Sequence, residues 1–265
     1  MQLKLSTIFF IIISSNTFFA QDCCLKNAHS HNDYKQNQPL TDALKNKFIS
    51  IEADIYLIND QLIVSHTHPL FKRQNTLENL YLKPLLDSCN KHNGKVYEGC
   101  TESLTLLIEI KSDQEKTYMV LKKALEKYQS ILSKYENGTV ILKGVTVIIT
   151  GNKPYSIMEN ENIRFAFIDE DLLHIDKHYN KSLCPLASAK YSNILKWNGK
   201  GEMPVDEKKN LISLVDKAHF QEKKIRLWAS PENIKVWRQL LNCGVDFINT
   251  NELEKLQIFL TEEKK

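Results

Sequence analysis

Glycine is scarce in this sequence, with 8 residues among 265, and this scarcity argues against nucleotide-binding loops built from glycine. An excess of one charge is also absent, because 35 basic residues face 32 acidic ones for a net charge of +3. Without a basic stripe there is no surface to attract a phosphate backbone, so we expect no nucleic-acid partner. Apolar and charged shares of 42% and 25% exclude a disordered, collagen-like or polytopic membrane chain.

A hydrophobic run long enough to span a bilayer is also missing from the N-terminus. The apolar run at residues 8–13 follows Lys4 and precedes a polar break and Ala20, a pattern typical of a secretory signal peptide. An uncleaved membrane anchor is the alternative that the sequence leaves open. We expect residues 1–20 to be a signal peptide and residues 21–265 to form the exported, mature chain.

Six cysteines are present, and no pair has the C-x-x-C spacing of a zinc knuckle. Cys89 and Cys100 bracket a polar stretch, so a disulfide between them would close a short surface loop. The sequence is equally compatible with that disulfide and with two thiols. Cys23 and Cys24 are adjacent, which is a poor geometry for a bond with each other.

Short runs rich in β-branched residues alternate with helical patterns over the rest of the chain, which favours a parallel sheet covered by helices. Eight or nine strands in about 245 residues favour closure into a barrel. The predicted strands are Leu25–His31, Phe48–Leu57, Gln61–His66, Leu104–Lys111, Val145–Thr150, Arg164–Ile168, Ser192–Trp197, Lys224–Ala229 and Val245–Asn249. The clearest helical periodicity covers Gln114–Tyr135, and another helix begins near Pro231 and ends at Gly244. We predict an α/β fold, a single (β/α)8 TIM barrel.

Carboxylates lie on one face of two strands that should be apolar. Glu52 and Asp54 alternate with isoleucine and alanine, so both point to the same side of their strand. Glu109 and Lys111 repeat this arrangement on a later strand. Unpaired charges inside a barrel are costly, and a divalent cation with oxygen ligands is one remedy. Salt bridges to internal lysine or arginine are the alternative.

Histidines cluster near the ends of two predicted strands. His29 and His31 lie at the end of the first predicted strand, and His66 lies at the end of the third, with His68 two residues later. Two imidazoles on opposite sides of a phosphate can deprotonate a nucleophile and protonate a leaving oxygen near neutral pH. The remaining histidines, His92, His174, His178 and His219, are predicted to be surface residues.

These motifs together resemble the phosphatidylinositol-phospholipase-C-like barrel superfamily, which includes the glycerophosphodiester phosphodiesterases. The matching segments are Ala28-His29, Glu52-Ala53-Asp54, Val64-Ser65-His66, Glu109-Ile110-Lys111, Gly244-Val245-Asp246 and Arg226-Leu227-Trp228. The phosphodiesterase pattern His-Arg-Gly is replaced by His29-Ser30-His31-Asn32, so the arginine expected to contact phosphate is absent. The His-Ser-His-Asn-Asp-Tyr phrase is more similar to the altered-inheritance-of-mitochondria-protein-six-like branch.

The resemblance implies an exported, metal-dependent phosphodiesterase that acts on a glycerophosphodiester or a phospholipid headgroup. Glu52, Asp54 and Glu109 would bind one Mg²⁺ or Ca²⁺, with His29 and His66 as acid and base in an order left open. Hydrolysis and release of a cyclic phosphate both remain possible outcomes of the reaction. The remaining implied roles are charge balance by Lys111 and substrate contact by His31, Asn32 and Trp228.

The expected partner is therefore a small-molecule or lipid-headgroup phosphodiester, with at most peripheral membrane contact, and the oligomeric state stays open. One alternative is an amidohydrolase or histidinol-phosphatase-like hydrolase, in which His29 and His31 would bind a zinc-like metal. The other is a barrel that binds a phosphorylated ligand without turnover.

Overall fold

A computed structural model describes residues 23–69, 75–177 and 179–263. The strands, in chain order, are β1 Leu25–Ser30, β2 Phe48–Ile58, β3 Gln61–Val64, β4 Leu104–Ile110, β5 Lys134–Glu136, β6 Thr139–Ile141, β7 Val145–Gly151, β8 Ile163–Arg164, β9 Ala166–Asp171, β10 Leu186–Lys190, β11 Lys224–Trp228 and β12 Phe247–Thr250. The α-helices are α1 Thr41–Lys45, α2 Lys83–Lys91, α3 Gln114–Glu126, α4 Tyr155–Met158, α5 Tyr191–Ile194, α6 Val205–Phe220, α7 Ile234–Asn242 and α8 Leu253–Glu262. Single helical turns of other types cover Asp33–Lys35, Glu78–Leu82 and Leu172–Lys177.

Eight parallel strands close into a barrel, in the order β1, β2, β4, β7, β9, β10, β11 and β12. Closure is made by β1, which pairs in parallel with both β2 and β12. Outside the barrel, β3 extends β2 as an antiparallel hairpin, and β5, β6 and β8 form a small separate sheet. This architecture is the predicted (β/α)8 TIM barrel, in which functional residues gather at the C-terminal ends of the strands.

The strands alternate between two kinds of buried surface. On β2, Ile51, Ala53 and Ile55 are fully buried toward the surrounding helices, whereas Glu52 and Asp54 are buried on the opposite face. The same alternation on β4 buries Leu106, Ile108 and Ile110 under the helices. The apolar face therefore supplies the packing energy of the fold, and the inner face is free to carry polar groups.

One predicted strand is wrong. The chain forms helix α5 where we expected the strand Ser192–Trp197, and the barrel strand in this region is β10, Leu186–Lys190. Its sequence, Leu-Ala-Ser-Ala-Lys, lacks β-branched residues, so it carries no strand signal. Ala187 and Ala189 are nevertheless buried, because small side chains fit where the helices approach the barrel closely.

The predicted helix Gln114–Tyr135 is shorter than expected, with 13 residues in place of 22. Helix α3 begins at Gln114 but ends at Glu126, and Tyr135 lies in strand β5. The apolar residues beyond the helix are buried all the same, because Ile131 and Leu132 pack in a turn that pairs with the start of β7. Buried apolar residues therefore keep a helix-like spacing in the sequence beyond the end of the helix, and this spacing led to the longer prediction.

The remaining sequence-based predictions concern the cysteines and the N-terminal segment. Cys100 Sγ lies 2.9 Å from Cys24 Sγ, so its sulfur neighbour is Cys24 and not Cys89, for which the sequence left a disulfide and two thiols equally open. The predicted signal peptide, residues 1–20, lies outside the described residues. Among the described helices, none combines the length and the apolar character that crossing a membrane requires.

Candidate active site

Three carboxylates from two neighbouring strands meet inside the barrel near its C-terminal end. Asp54 on β2 is in register with Glu109 on β4, and Glu52 lies one inward position before Asp54. One oxygen atom from each of the three side chains lies within 4.8 Å of the others. Asp54 is completely buried, and its Oδ1 atom has no hydrogen-bond partner among the described residues. A buried carboxylate oxygen without a partner is costly unless a cation or water meets it, so this donor set fits a cation.

Two basic side chains already approach these carboxylates, as the salt-bridge alternative predicted. Lys111 Nζ lies 2.8 Å from Glu109 Oε1 and 3.3 Å from Asp54 Oδ2. Arg226 pairs with Glu52 from the opposite side of the barrel. Three carboxylates therefore face two basic groups, and Asp169 adds a fourth acid 3.9 Å from Arg226. The interior keeps an excess of negative charge that internal salt bridges do not balance.

The pKa values of two of these carboxyl groups are shifted by burial and by the neighbouring charges. Burial raises the pKa of Glu109, the charge of Asp54 raises it further, and Lys111 opposes the shift. Burial also favours a raised pKa for Glu52, but Arg226 and His29 overcome it and hold that pKa well below its usual range. Glu52 is therefore ionised at neutral pH, whereas burial and the neighbouring carboxylate disfavour the ionised form of Glu109.

His29 is fully buried at the end of β1 and contacts the cluster through Glu52. Its Nδ1 atom lies 2.7 Å from Ser50 Oγ, and its Nε2 atom lies 3.1 Å from Glu52 Oε2 and 3.0 Å from Arg226 Nη1. Burial lowers the pKa of His29 to about 4; the hydrogen bond with Glu52 opposes this shift, and the charge of Arg226 adds to it. A guanidinium only donates and a carboxylate only accepts, so Nε2 satisfies the Arg226 contact when it carries no proton and the Glu52 contact when it does. Nδ1 donates to Ser50 Oγ in the first tautomer and accepts from it in the second.

His66 contacts the cluster from the other side, through Asp54. Its Nδ1 atom lies 3.1 Å from Asp54 Oδ2, and the ring is about half exposed, so it faces the mouth of the barrel. The hydroxyl of Tyr34 donates to the same Asp54 oxygen at 2.7 Å and lies 3.2 Å from His66 Nδ1. The two histidines therefore flank the carboxylates, one buried beside Glu52 and one exposed beside Asp54.

The three predicted substrate-contact residues lie around the rim. Asn32 is buried, its Oδ1 atom lies 2.5 Å from Tyr34 Oη, and its amide nitrogen is 3.1 Å from the ring of His31. His31 in turn lies 3.1 Å from Asn251 Oδ1. Trp228 is partly exposed at the end of β11, with Lys190 Nζ 5.6 Å from its ring centre. Asn32 and His31 are thus connected to the cluster through Tyr34, whereas the contacts of Trp228 are with Lys190.

The zinc alternative finds no support in this geometry. Within the described ranges, neither group of three side chains close enough to share a metal ion includes a histidine. His29 and His31 also contact different partners, Glu52 and Asn251, and so do not converge on one point. The late motif residue Asp246 lies at the opposite end of the barrel, where it accepts from the Ile225 backbone and pairs with His219.

Sequence reasoning missed two residues of the site. The sequence places Arg226 only in the matching segment Arg226-Leu227-Trp228, yet its guanidinium contacts His29, Glu52 and Ser188. Tyr34 ends the segment His-Ser-His-Asn-Asp-Tyr, and the sequence pattern gives it no role. The available signal was alternation on β11, where Arg226 shares the inward face with the site while Leu227 packs outward and is fully buried.

Asp33 holds the segment that carries Asn32 and Tyr34. Its carboxylate is completely buried and accepts from Ser30 Oγ at 2.8 Å, from the Leu40 backbone N–H at 2.5 Å and from Tyr81 Oη at 3.0 Å. Burial raises the pKa of Asp33, so desolvation offsets part of what these hydrogen bonds contribute.

Replacing Asp33 with asparagine is expected to lower the free energy of unfolding by about 2 kcal/mol, because the amide nitrogen leaves a buried donor without an acceptor. Urea unfolding followed by circular dichroism measures this change. Asp216→Asn, at an exposed position on α6, is the matched control and should change stability by less than about 0.5 kcal/mol. Equal stabilities for the two variants would refute the structural role of Asp33.

Comparison with known proteins places this geometry in a family context. The family model described as AIM6-like phosphodiesterase domain matches residues 17–169. "Altered inheritance of mitochondria protein 6" of Saccharomyces cerevisiae is 32% identical over 85% of this chain and 68% of its own length. The protein of the same name from Lachancea thermotolerans is 29% identical over 86% of this chain, which spans 64% of that relative. The chain thus spans about two thirds of the length of these yeast relatives.

A solved structure supports the fold. The glycerophosphodiester phosphodiesterase from Parabacteroides distasonis superposes with a TM-score of 0.52, covering 91% of this chain and 97% of its own, at 12% sequence identity. At that identity the similarity concerns the barrel architecture and carries no information on the substrate of this chain.

Proposed function

Because the chain belongs to the AIM6-like phosphodiesterase domain family, we propose that it is an exported, metal-dependent enzyme that cleaves a phosphodiester. The observation that carries this proposal is the carboxylate cluster of Glu52, Asp54 and Glu109, flanked by His29 and His66. The proposed substrate is the class that the sequence resemblance implies, a glycerophosphodiester or a phospholipid headgroup diester. Export rests on the signal-peptide pattern of residues 1–20.

The three carboxylates would hold one divalent cation, Mg²⁺ or Ca²⁺, because hard cations prefer oxygen ligands. When bound, such a cation supplies Lewis-acid stabilisation of the charge that develops on a phosphate oxygen. The unpartnered Asp54 Oδ1 atom and the excess of carboxylates over basic groups are the features that support this fit. Lys111, which pairs with Asp54 and Glu109, would balance the remaining negative charge of the substrate.

The two histidines differ in environment, and this difference supports distinct roles. His29 is neutral at pH 7 because burial keeps its pKa low, so the ring nitrogen that carries no proton can accept one. His66 stands at the exposed mouth beside Asp54 and Tyr34, where it can donate a proton to a leaving oxygen. We assign His29 as the base and His66 as the acid. A neighbouring hydroxyl of the substrate would be the nucleophile that His29 deprotonates, or else water would be.

Arg226 acts as a positioning residue in this proposal. Its guanidinium donates to Glu52 and His29 at once and is itself held by Ser188 Oγ at 3.2 Å. This arrangement supplies a guanidinium to the phosphate site although the family-pattern arginine after His29 is absent. A lysine ends in a single nitrogen, so it cannot hold Ser188 and Glu52 through two separate nitrogens as the guanidinium does through Nε and Nη1.

Arg226→Lys is expected to lower kcat by about 10- to 100-fold while divalent-cation binding is retained, as for other groups that orient active-site residues. Steady-state kinetics and calorimetric cation titration measure the two effects separately. Arg238→Lys, at an exposed ion pair with Glu263, is the matched control and should keep wild-type values. Unchanged kcat in Arg226→Lys would remove Arg226 from the catalytic account.

The activity itself is tested by phosphorus NMR. The protein is incubated with a pool of glycerophosphodiesters and phospholipid headgroup diesters, with EDTA, and with EDTA followed by excess Mg²⁺ or Ca²⁺. We expect one class of diester to disappear in the presence of cation, with a phosphomonoester or a cyclic phosphate as product, and no reaction under EDTA. Binding of a diester without turnover under every condition would support the ligand-binding barrel and refute the enzyme.

A further inference from the structure

Three thiols gather at the end of the barrel opposite the candidate active site. Cys23 and Cys24 directly precede β1, and Cys100 lies in the segment that leads into β4. Since the strands are parallel, their N-terminal ends share one rim. The three sulfur atoms lie within 4.8 Å of one another, whereas His29 and Glu109 of the candidate active site lie near the other ends of β1 and β4.

Within this thiol cluster, one pair of sulfur atoms lies close to bonding distance. Cys24 Sγ and Cys100 Sγ are 2.9 Å apart, and both residues are buried, with exposed fractions of 1% and 4%. A disulfide needs a sulfur separation of about 2.05 Å, so a shift of about 0.9 Å suffices. Cys23 Sγ is 3.9 Å from Cys24 Sγ, and these neighbours in sequence cannot reach disulfide geometry without distorting the backbone.

We propose that Cys24 and Cys100 form a disulfide when the chain meets an oxidising thiol–disulfide couple. Two thiols lose two protons and two electrons and gain one S–S bond. A small disulfide oxidant takes up both electrons and both protons as its S–S bond breaks, and leaves as two thiols. Cys23 remains a thiol beside the new bond.

A thiolate metal site is the competing use of these sulfurs. Structural zinc sites in proteins are almost always four-coordinate. In the part of the chain that the structure describes, the cluster supplies three ligands, Cys23, Cys24 and Cys100, and no fourth protein ligand joins them. The short distance between two of the three sulfurs also favours a bond between them over a shared ion, which would hold them apart.

The disulfide would join the first residues of the barrel to a segment 76 positions later in the sequence. Closing a chain segment of this length restricts the unfolded state, so the oxidised protein should be more stable than the reduced one. The proposal does not rest on the proposed function, because the bond lies at the other rim and is measured without turnover.

The full-length chain is refolded in a mixture of oxidised and reduced glutathione, alkylated in denaturant and digested with trypsin. Cys24 and Cys100 fall in the separate peptides that end at Lys26 and Lys111, while Cys89 falls in a third that ends at Lys91. We expect a cross-linked pair of the first two peptides that disappears after reduction. Cys23→Ser should keep the cross-link, and Cys24→Ser and Cys100→Ser should each lose it.

Thermal unfolding gives an independent measure. Reduction is expected to lower the Tm of wild type and Cys23→Ser by about 5–10 °C and to leave Cys100→Ser unchanged. Complete alkylation of wild type before reduction would overturn the proposal. So would a cross-link to the Cys89 peptide, or a zinc ion retained at one per chain with all thiols reduced.

Discussion

Asp54→Asn is expected to lose divalent-cation binding and to lower kcat/KM by about a thousandfold. Asp54 is the central carboxylate of the cluster: it is fully buried, lies in register with Glu109 and presents one oxygen that has no partner among the residues the structure describes. Asparagine keeps the shape but removes the charge that a cation requires. Loss of the several kcal/mol that a bound cation contributes to the transition state corresponds to this reduction in rate.

Thermal shift separates cation binding from catalysis. At about 100 times the dissociation constant, Mg²⁺ or Ca²⁺ should raise the Tm of wild type by about 5–10 °C and leave Asp54→Asn unchanged. Asp60→Asn is the matched control, because Asp60 is exposed in the turn after the same strand, where its φ of 60° suits asparagine equally. Asp54→Asn with wild-type activity and an intact thermal shift would contradict the cation site.

The second large effect concerns the two histidines. His29→Asn and His66→Ala should each reduce kcat by about 10²- to 10⁴-fold, the range that a positioned acid or base contributes. Neither histidine belongs to the carboxylate group itself, so the cation-induced thermal shift should remain. A loss of kcat with retained cation binding is thus the opposite pattern to the loss of both in Asp54→Asn.

The histidine variants carry different risks of misfolding, and the pair is informative for that reason. His29 is completely buried between Ser50 and Arg226, so its replacement requires a check of the Tm. His66 is half exposed, and its replacement should leave the Tm within a few degrees of wild type. His92→Gln, at a histidine that contacts the Val96 carbonyl away from the site, should retain full kcat. Near-wild-type rates in both active-site variants would refute the acid–base assignment.

The barrel could be predicted because its strongest signals are local. Alternation on β2 puts Ile51 and Ala53 on one side and Glu52 and Asp54 on the other, and this pattern determined both the strand and the inward carboxylates. The strand β10 could not be predicted in the same way, because alanine and serine fill its buried positions. Its place in the barrel is set by its pairing with β9 and β11. Such long-range pairing cannot be recognised from the sequence of one segment.

The alternation of side chains along each strand was enough to predict the carboxylates of the site, but not the residues that reach it from distant segments. Adjacent strands bring Asp54 beside Glu109, so two carboxylate motifs in sequence were enough to suggest a shared site. Arg226 enters from across the barrel, 174 residues after Glu52, and its partner depends on closure of the whole sheet. Tyr34 similarly reaches Asp54 only because buried Asp33 fixes the turn before it. Long-range closure and local turn geometry are what the sequence pattern leaves out.

Anomalous diffraction from crystals grown with Mn²⁺ tests the central claim most directly. Mn²⁺ accepts the same oxygen ligands as Mg²⁺ and can be located by its anomalous signal. The account predicts one Mn²⁺ peak per chain, bound by carboxylate oxygens of Glu52, Asp54 and Glu109, with His29 and His66 on either side of it. A peak bound elsewhere, or a carboxylate cluster occupied only by Lys111 and Arg226 at saturating Mn²⁺, would contradict it.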